Sequence, residues 1–301
     1  MQVTQKWRPV VFDVHSSGAR GDASRVLSSR PRTNWKRRVG AAVSAAVLVM
    51  AVSITRAQVR QGRRWEPIGD PEEASRQHAA YDGRFTLARL RFETAPGGYY
   101  YRGLPAWAHG YPTAERNLMH IADDISLLRA RIDESNVFDL DDPELDEFPV
   151  AYMTEAGFWT LNDREAAGFA AYLRKGGFVI FDDFRDDEFR GGGGWPQFES
   201  NMRRVIPDAQ FVDLDPSHPI FHCFFEIDSF DIIPQDYDRA RPILRGLYED
   251  NDPKKRLMAI VNFNTDVSNF WEFSGTGFRP VSESNEAYKL GINYVMYGLT
   301  H

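Results

Sequence analysis

From residue 85 onwards, the hydrophobic pattern of the chain changes repeatedly between strand-like and helix-like. Apolar and polar side chains alternate over residues 85–92, which predicts a half-buried strand. Short apolar runs, which predict buried strands, occupy residues 148–153, 178–182, 210–214 and 257–263. Apolar residues recur at helical intervals over residues 114–132, 162–175, 196–205 and 285–299.

Local signals mark several helix ends. Thr113 stands where the N-cap of the first helix is expected. Asn162 and Glu165 form a capping-box pattern, and Gly176 follows the second helix as a stop signal. This helix lies between two predicted strands, so the segment is a strand–helix–strand unit. The repeated alternation predicts an α/β fold, with a mainly parallel sheet and helices on both faces.

A different pattern precedes this domain. Residues 35–38 carry three basic side chains, and residues 39–57 are mostly apolar, as in a signal peptide or a short membrane anchor. Arg56 weakens the small-residue cleavage site, so cleavage and retention in the membrane both stay open. We expect a basic, disordered tail over residues 1–38, which is either cytoplasmic or an over-extended translation start. A linker over 58–80 and one domain over 81–301 complete the predicted organisation.

The leader predicts export, with the domain either periplasmic or anchored to the inner membrane outside the cytoplasm. The chain has 301 residues, 43% of them hydrophobic, and a net charge of -7, which suits an acidic globular domain. No overall basic surface is available for a nucleic acid. The single cysteine excludes an internal disulfide, a cysteine-rich zinc site and an iron–sulfur cluster.

Four segments together resemble a known bacterial family. They read Tyr-Met-Thr-Glu-Ala-Gly-Phe-Trp at 152–159, Leu-Arg-Lys-Gly-Gly-Phe-Val-Ile-Phe-Asp-Asp at 173–183, His-Pro-Ile-Phe at 218–221 and Asn-Glu-Ala-Tyr-Lys-Leu-Gly-Ile-Asn-Tyr at 285–294. Over roughly residues 85–301 the chain is similar to the family catalogued as domain of unknown function 4159. The resemblance implies an α/β fold like that of flavodoxin and of class I glutamine amidotransferase-like domains, with no established activity. It also implies an envelope protein.

Polar residues follow three of the predicted strands. Ligands of open parallel sheets bind beyond the carboxyl ends of the strands, so these residues are candidates for a binding site. The candidates are Glu155, Asp182, Asp183, Asn264 and Asp266. If the strand ends are adjacent, Glu155 and Asp183 would act as general acid and base, or hold magnesium or calcium. The alternative is that such residues cap helices and bind loop amides.

Aromatic residues crowd the loop at residues 99–111. Tyr100 and Trp107 are candidates for contact with a sugar ring or a partner protein, because their rings offer flat apolar faces with polar edges. The alternative is that they are core or loop anchors. His218 and His222 stand four residues apart, a spacing that would let both bind one metal on a helix, although Pro219 favours a turn.

Cys223 lies between bulky residues and lacks the small neighbours of a nucleophile elbow. Classical glutamine hydrolysis is therefore disfavoured, and Cys223 is interpreted as a structural thiol. The leading hypothesis is a non-catalytic envelope domain that binds a protein partner or a glycan-like ligand at the strand ends, without a cofactor. A carboxylate- or metal-dependent hydrolase, with a divalent metal, is the alternative. A structural scaffold without a polar cleft is the third.

Overall fold

The fold is seen in a computed structural model of the chain. The described residues are 79–100, 103–132, 136–185, 193–233, 236 and 241–301, and they belong to one compact unit. Within these ranges no helix is long and apolar enough to cross a bilayer. The predicted tail, the leader at 39–57 and nearly all of the linker lie outside the described residues. Export therefore stays a prediction.

The described residues form a seven-stranded sheet and a separate two-stranded sheet. In chain order the strands are β1 (Ala88–Arg91), β2 (Glu93–Thr94), β3 (Asn136–Asp139), β4 (Val150–Met153), β5 (Trp159–Thr160), β6 (Phe178–Phe184), β7 (Phe211–Asp213), β8 (Ile243–Tyr248) and β9 (Leu257–Phe263). The large sheet has the order β3-β1-β4-β6-β9-β8-β7, and β2 pairs with β5. The pairings from β3 to β9 are parallel, whereas β8 is antiparallel to both of its neighbours.

Five α-helices of the described chain cover both faces of this sheet. They are α1 (Thr113–Ile125), α2 (Asp163–Lys175), α3 (Gly194–Val205), α4 (Val267–Glu272) and α5 (Val281–Thr300). Helices α2 and α3 pack into one apolar cluster, and α1, α4 and α5 pack into another. The predicted α/β architecture is therefore confirmed, including the mainly parallel sheet and the helices on both faces.

The central strands read as continuous apolar runs because their two faces are both buried. In β6, Val179 and Phe181 join the cluster of α2 and α3, while Phe178 and Ile180 join the cluster of α1, α4 and α5. Successive side chains of a strand point to opposite faces, so each run supplies both layers. The capping box of α2 is also confirmed, with Asn162 accepting from the Glu165 amide.

The prediction of a half-buried first strand was wrong. β1 is paired on both sides, with β3 and with β4, and it lies in the interior of the sheet. Its polar position Arg89 is fully buried. The alternating pattern misled because a buried charged side chain was interpreted as solvent-facing.

The first helix is shorter than its apolar pattern predicts. α1 ends at Ile125, where the Ser126 hydroxyl donates to the Ala122 carbonyl and accepts from the Leu128 amide. Arg129 then adopts a left-handed backbone, with a φ of 51°. These local side-chain bonds compete with helix continuation, so the later apolar residues up to Ile132 lie outside α1. β2, β3, β5, β8 and α4 were not predicted.

Candidate functional site at the strand ends

The loops that follow β1 and β4 leave the sheet from neighbouring strands in opposite directions. After β1 the chain passes through α1 to the outer strand β3, and after β4 it passes through α2 to β6. Because α1 and α2 cover opposite faces, the two loops diverge at the carboxyl edge, which is where a crevice is expected in such a sheet. β2 and β5 pair across this point and connect the loops. Such a switch point is where open α/β sheets bind ligands.

The backbone turns sharply at three of these strand ends. Glu155, Asp183 and Asn264 follow or end β4, β6 and β9, with φ angles of 49°, 58° and 62°. A left-handed conformation is uncommon for residues other than glycine, and such residues concentrate at functional sites. Three of the predicted candidates therefore share an unusual backbone at one edge of the sheet.

His109 brings two of these residues together. Its Nδ1 atom lies 2.8 Å from Asp183 Oδ2 and 3.3 Å from Glu155 Oε1. One donor atom from each of the three side chains falls within 4.8 Å of the other two. The three residues, which we call the His109 cluster, come from the loop after β1 and from the ends of β4 and β6. This arrangement is suited to proton transfer or to cation binding.

The electrostatics of the cluster favour a charged imidazole. Burial alone would lower the pKa of His109, but the negative charge of Asp183 and the hydrogen bonds to Asp183 and Glu155 outweigh it. The pKa of His109 is consequently raised well above its usual value. The Thr154 hydroxyl also donates to Asp183 Oδ2, at 3.4 Å.

Asp182 and Asp266 lie nearby but perform a structural task. Asp182 accepts hydrogen bonds from the Tyr152 hydroxyl and from the amides of Val267 and Ser268, at the start of α4. Asp266 is the N-cap of α4 and accepts from the Asn269 amide. For these two acids, helix capping is therefore the role that the geometry shows.

Burial raises the pKa of both acids, and the charge of Asp183 adds to the effect. The pKa of Asp182 rises to about 6, and that of Asp266 rises well above its usual value. Two further acids lie within electrostatic range of His109, namely Asp236 and Glu272, and burial raises the pKa of each. Four acidic side chains therefore lie around the His109 cluster, and burial favours their neutral forms.

Three other predicted site residues are Tyr100 and Trp107 of the aromatic loop and Asn264 of a strand end, and they differ in their surroundings. The ring of Tyr100 lies 4.9 Å from the His109 ring, and its hydroxyl donates to the Ala108 carbonyl. Trp107 is 2% exposed and belongs to the core, so its ring is not offered to a ligand. The main-chain N–H of Asn264 donates to the Phe184 carbonyl, and this bond joins the ends of β9 and β6.

Arg89 holds the loop that carries His109. The Arg89 guanidinium donates to the carbonyls of Trp107 and His109, at 3.0 and 3.1 Å, and pairs with the buried Glu115. Neither His109 nor Arg89 was predicted as a site residue. The available signal for His109 was a titratable side chain between Ala108 and Gly110, in the loop that follows a strand. Arg89 was missed because it occupies a polar position of the alternating pattern, which indicates a solvent-facing side chain.

His218 and His222 lie away from this site. The His218 ring packs against Tyr248 and Tyr297, near the amino ends of β9 and β6, and its Nδ1 accepts from the Ile220 amide. His222 instead groups with Glu226 and Asp228. Among the described residues, neither of the two side-chain groups that could hold a metal contains both histidines, so a shared metal site stays a prediction. Pro219 begins a short 3₁₀ helix, and the two side chains serve different contacts.

Cys223 is also remote from the His109 cluster. Its Sγ donates to the carbonyl of Asn293 in α5, at 3.1 Å. Burial raises the pKa of the thiol to about 11, so the thiol is protonated at neutral pH.

The fold and the site define an α/β domain with a histidine–carboxylate cluster at the topological switch point of its sheet. The family model described as Domain of unknown function (DUF4159) matches residues 86–299, and the chain belongs to this family. No curated protein matches the chain. The implied likeness to class I glutamine amidotransferase-like domains stays a prediction.

Proposed function

We propose that this domain is a divalent-cation-dependent hydrolase, with the cation held by His109, Glu155 and Asp183. One observation carries the proposal. Three donor atoms of the kinds that bind transition metals, from three separate segments, converge within 4.8 Å at the strand ends. An ion bound here would take the place of the Nδ1 proton of His109, so binding would release a proton.

The distances suit coordination. Two ligand atoms bound at about 2.0–2.1 Å to one ion, in adjacent positions, lie roughly 3 Å from each other. The distances from His109 Nδ1 to the two carboxylate oxygens are 2.8 and 3.3 Å. A mixed imidazole and carboxylate set favours zinc, manganese or iron(II) over magnesium and calcium.

Three protein ligands leave coordination positions for water and for substrate. A cation in this position would lower the pKa of its bound water and supply a nucleophile at neutral pH. A cation would favour the ionised forms of the surrounding acids, Asp236, Asp266 and Glu272, and their charge would in turn stabilise the ion. Tyr100 would form the wall beside His109.

The substrate belongs to the cell envelope if the leader directs export. This part of the proposal rests on the basic and apolar pattern of residues 35–57. The partner molecules would then be envelope components, and the N-terminal segment would contact the membrane if it is not cleaved.

The direct test is metal binding by the full-length protein after removal of metal with a chelator. Titration calorimetry with Zn²⁺ and Mn²⁺ should show one strong site, and Asp183→Asn or Glu155→Gln should weaken it by about 10- to 100-fold. His222→Asn provides the control, because it removes the histidine of the other described group and should leave this affinity unchanged. Equal weakening by His222→Asn, or no effect of Asp183→Asn, would refute the assignment.

Hydrolysis is tested separately with the metal-loaded protein and chromogenic carboxylic and phosphate esters. Activity should require the ion and disappear in Asp183→Asn. If the ion binds but none of these esters is hydrolysed, the catalytic part of the proposal fails while the metal site stands.

A second candidate is binding of a protein partner or a glycan-like ligand without catalysis. The observation that favours it is the tyrosine pair beside the cluster. Tyr100 contacts His109, and Tyr99 is 53% exposed. Replacing Tyr99 with alanine should then reduce capture of envelope glycan or protein without changing metal affinity. An unchanged capture would remove this surface from consideration.

A further inference from the structure

A second concave site lies on the α3 face of the sheet, apart from the His109 cluster. It is a cavity of about 330 Å³ between α3, the edge strand β7, its neighbour β8, and the end of β9. The lining residues are Trp195, Glu199, Phe211, Asp213, Arg245 and Phe263. None of them belongs to the His109 cluster, so a ligand of this cavity would be independent of the proposed function.

Aromatic rings form the apolar wall of this cavity. The ring centroids of Trp195 and Phe211 lie 5.3 Å apart, and the same distance separates Trp195 from Phe263. Both contacts are edge-to-face, so the three rings fix one another. The rings therefore support one another and supply the apolar part of the lining.

Arg245 is held against this wall. Its guanidinium carbon lies 4.0 Å from the Trp195 ring centroid and 5.0 Å from that of Phe263. Its Nε donates to Asp213 Oδ1 at 2.8 Å. No other hydrogen bond joins Arg245 to a described side chain or carbonyl, although a guanidinium carries five N–H donors. The remaining donors are thus available at the cavity.

Charge limits the kind of ligand that fits. The carboxylates of Glu199 and Asp213 stand at the same cavity, where Glu199 pairs with Arg203 and Asp213 with Arg245, and they disfavour a phosphate or a carboxylate. Arg245 would in turn repel a cation. A neutral ring with several hydroxyl groups avoids both penalties, because its hydroxyls donate to the carboxylates and accept from the guanidinium. Its C–H groups would contact the apolar part of the lining beside Arg245.

We propose that this cavity binds a neutral saccharide. Ligand pockets measure roughly 300–1,000 Å³, so the volume lies at the lower end and suits a ligand of one or two sugar rings. Arg245 and Glu199 are the residues that select it, the first by donating to hydroxyl oxygens and the second by accepting from hydroxyl hydrogens.

The test uses the full-length protein with cellobiose and the disaccharide of N-acetylglucosamine, followed by saturation-transfer NMR and calorimetry. At least one of these neutral sugars should bind, and glucuronic acid should bind more weakly than glucose. Arg245→Lys should weaken the binding of the neutral sugar by about tenfold, because lysine lacks the planar set of donors. Glu199→Gln, at a partly exposed position, should also weaken it and keeps the test valid if Arg245→Lys impairs folding.

Arg174→Lys is the matched control, since Arg174 is exposed on α2 and lies outside the cavity. It should leave sugar affinity unchanged. The proposal is overturned if neither neutral disaccharide binds, if Glu199→Gln and a folded Arg245→Lys both leave affinity unchanged, or if glucuronic acid binds better than glucose. Unchanged metal affinity in these variants would separate this site from the His109 cluster.

Discussion

The guanidinium of Arg89, in the middle of β1, donates to the main-chain carbonyl of His109, twenty residues further along the chain, at 3.1 Å. The same group pairs with Glu115 on α1. Both side chains are buried, at 0% and 2% exposure. A buried ion pair between the central sheet and the first helix thus holds the loop that presents His109 to Glu155 and Asp183.

Replacing Arg89 with methionine should destabilise the protein by about 3–5 kcal/mol, because it leaves the Glu115 carboxylate buried without its cation. Urea denaturation measures the loss. The double variant Arg89→Met/Glu115→Gln should lose less than the single variant, since the uncompensated charge is gone.

Arg91→Met is the control on the same strand. Arg91 pairs with Asp139 near the surface, where their side chains are 32% and 44% exposed, so its replacement should cost less than about 1 kcal/mol. A cost equal to that of Arg89→Met would contradict the assigned role of the buried pair.

Asp182→Ala should cost about 3 kcal/mol, because it leaves the Tyr152 hydroxyl and two amides of α4 without their acceptor. Asn162→Ala, at the exposed cap of α2, should cost about 1 kcal/mol. Denaturant midpoints of the two variants give the comparison. A smaller loss for Asp182→Ala than for Asn162→Ala would show that the α4 bonds are not maintained in solution.

Gly291→Ala should destabilise the protein by about 1–3 kcal/mol through overpacking. A Cβ at this position of α5 would come within 2.6 Å of the Trp271 ring and 2.9 Å of a Leu118 methyl group. Ser282→Ala, exposed in the first turn of α5, should change stability by no more than about 0.5 kcal/mol. Thermal unfolding of both variants checks the close approach of α5 to α1 and α4.

Alkylation of Cys223 by iodoacetamide should be slow in the folded protein. The thiolate is the reactive form, and a pKa of about 11 keeps it scarce near neutral pH. The rate should rise about tenfold per pH unit between about pH 8 and 10, since the thiolate fraction rises by that factor. In urea the same thiol should react about a hundred times faster at about pH 8, because exposure restores its usual pKa. Equal rates in the folded and unfolded protein would show that Cys223 is not protected.

Much of the architecture followed from local patterns. The apolar runs at β4, β6 and β9 predict buried parallel strands because both of their faces need apolar side chains. The capping box at Asn162 and Glu165 predicts the start of α2 because its bonds join residues three apart. β2, β3, β5, β8 and α4 were not predicted because their patterns are short or mix polar with apolar residues.

The polar residues at the strand ends were also evident from the sequence, but their separate tasks were not. Asp182 and Asp183 are neighbours in the chain, yet Asp182 holds α4 while Asp183 faces His109. The left-handed backbone at Asp183 and the path of the His109 loop decide this difference, and neither produces a periodic signal. The sequence by itself determined five of the nine described strands, four of the five described α-helices and the edge of the sheet where acids collect, because these depend on local patterns. Only the tertiary structure decided which acids meet His109 and that Arg89 lies buried beneath it, because these contacts join residues far apart in the chain.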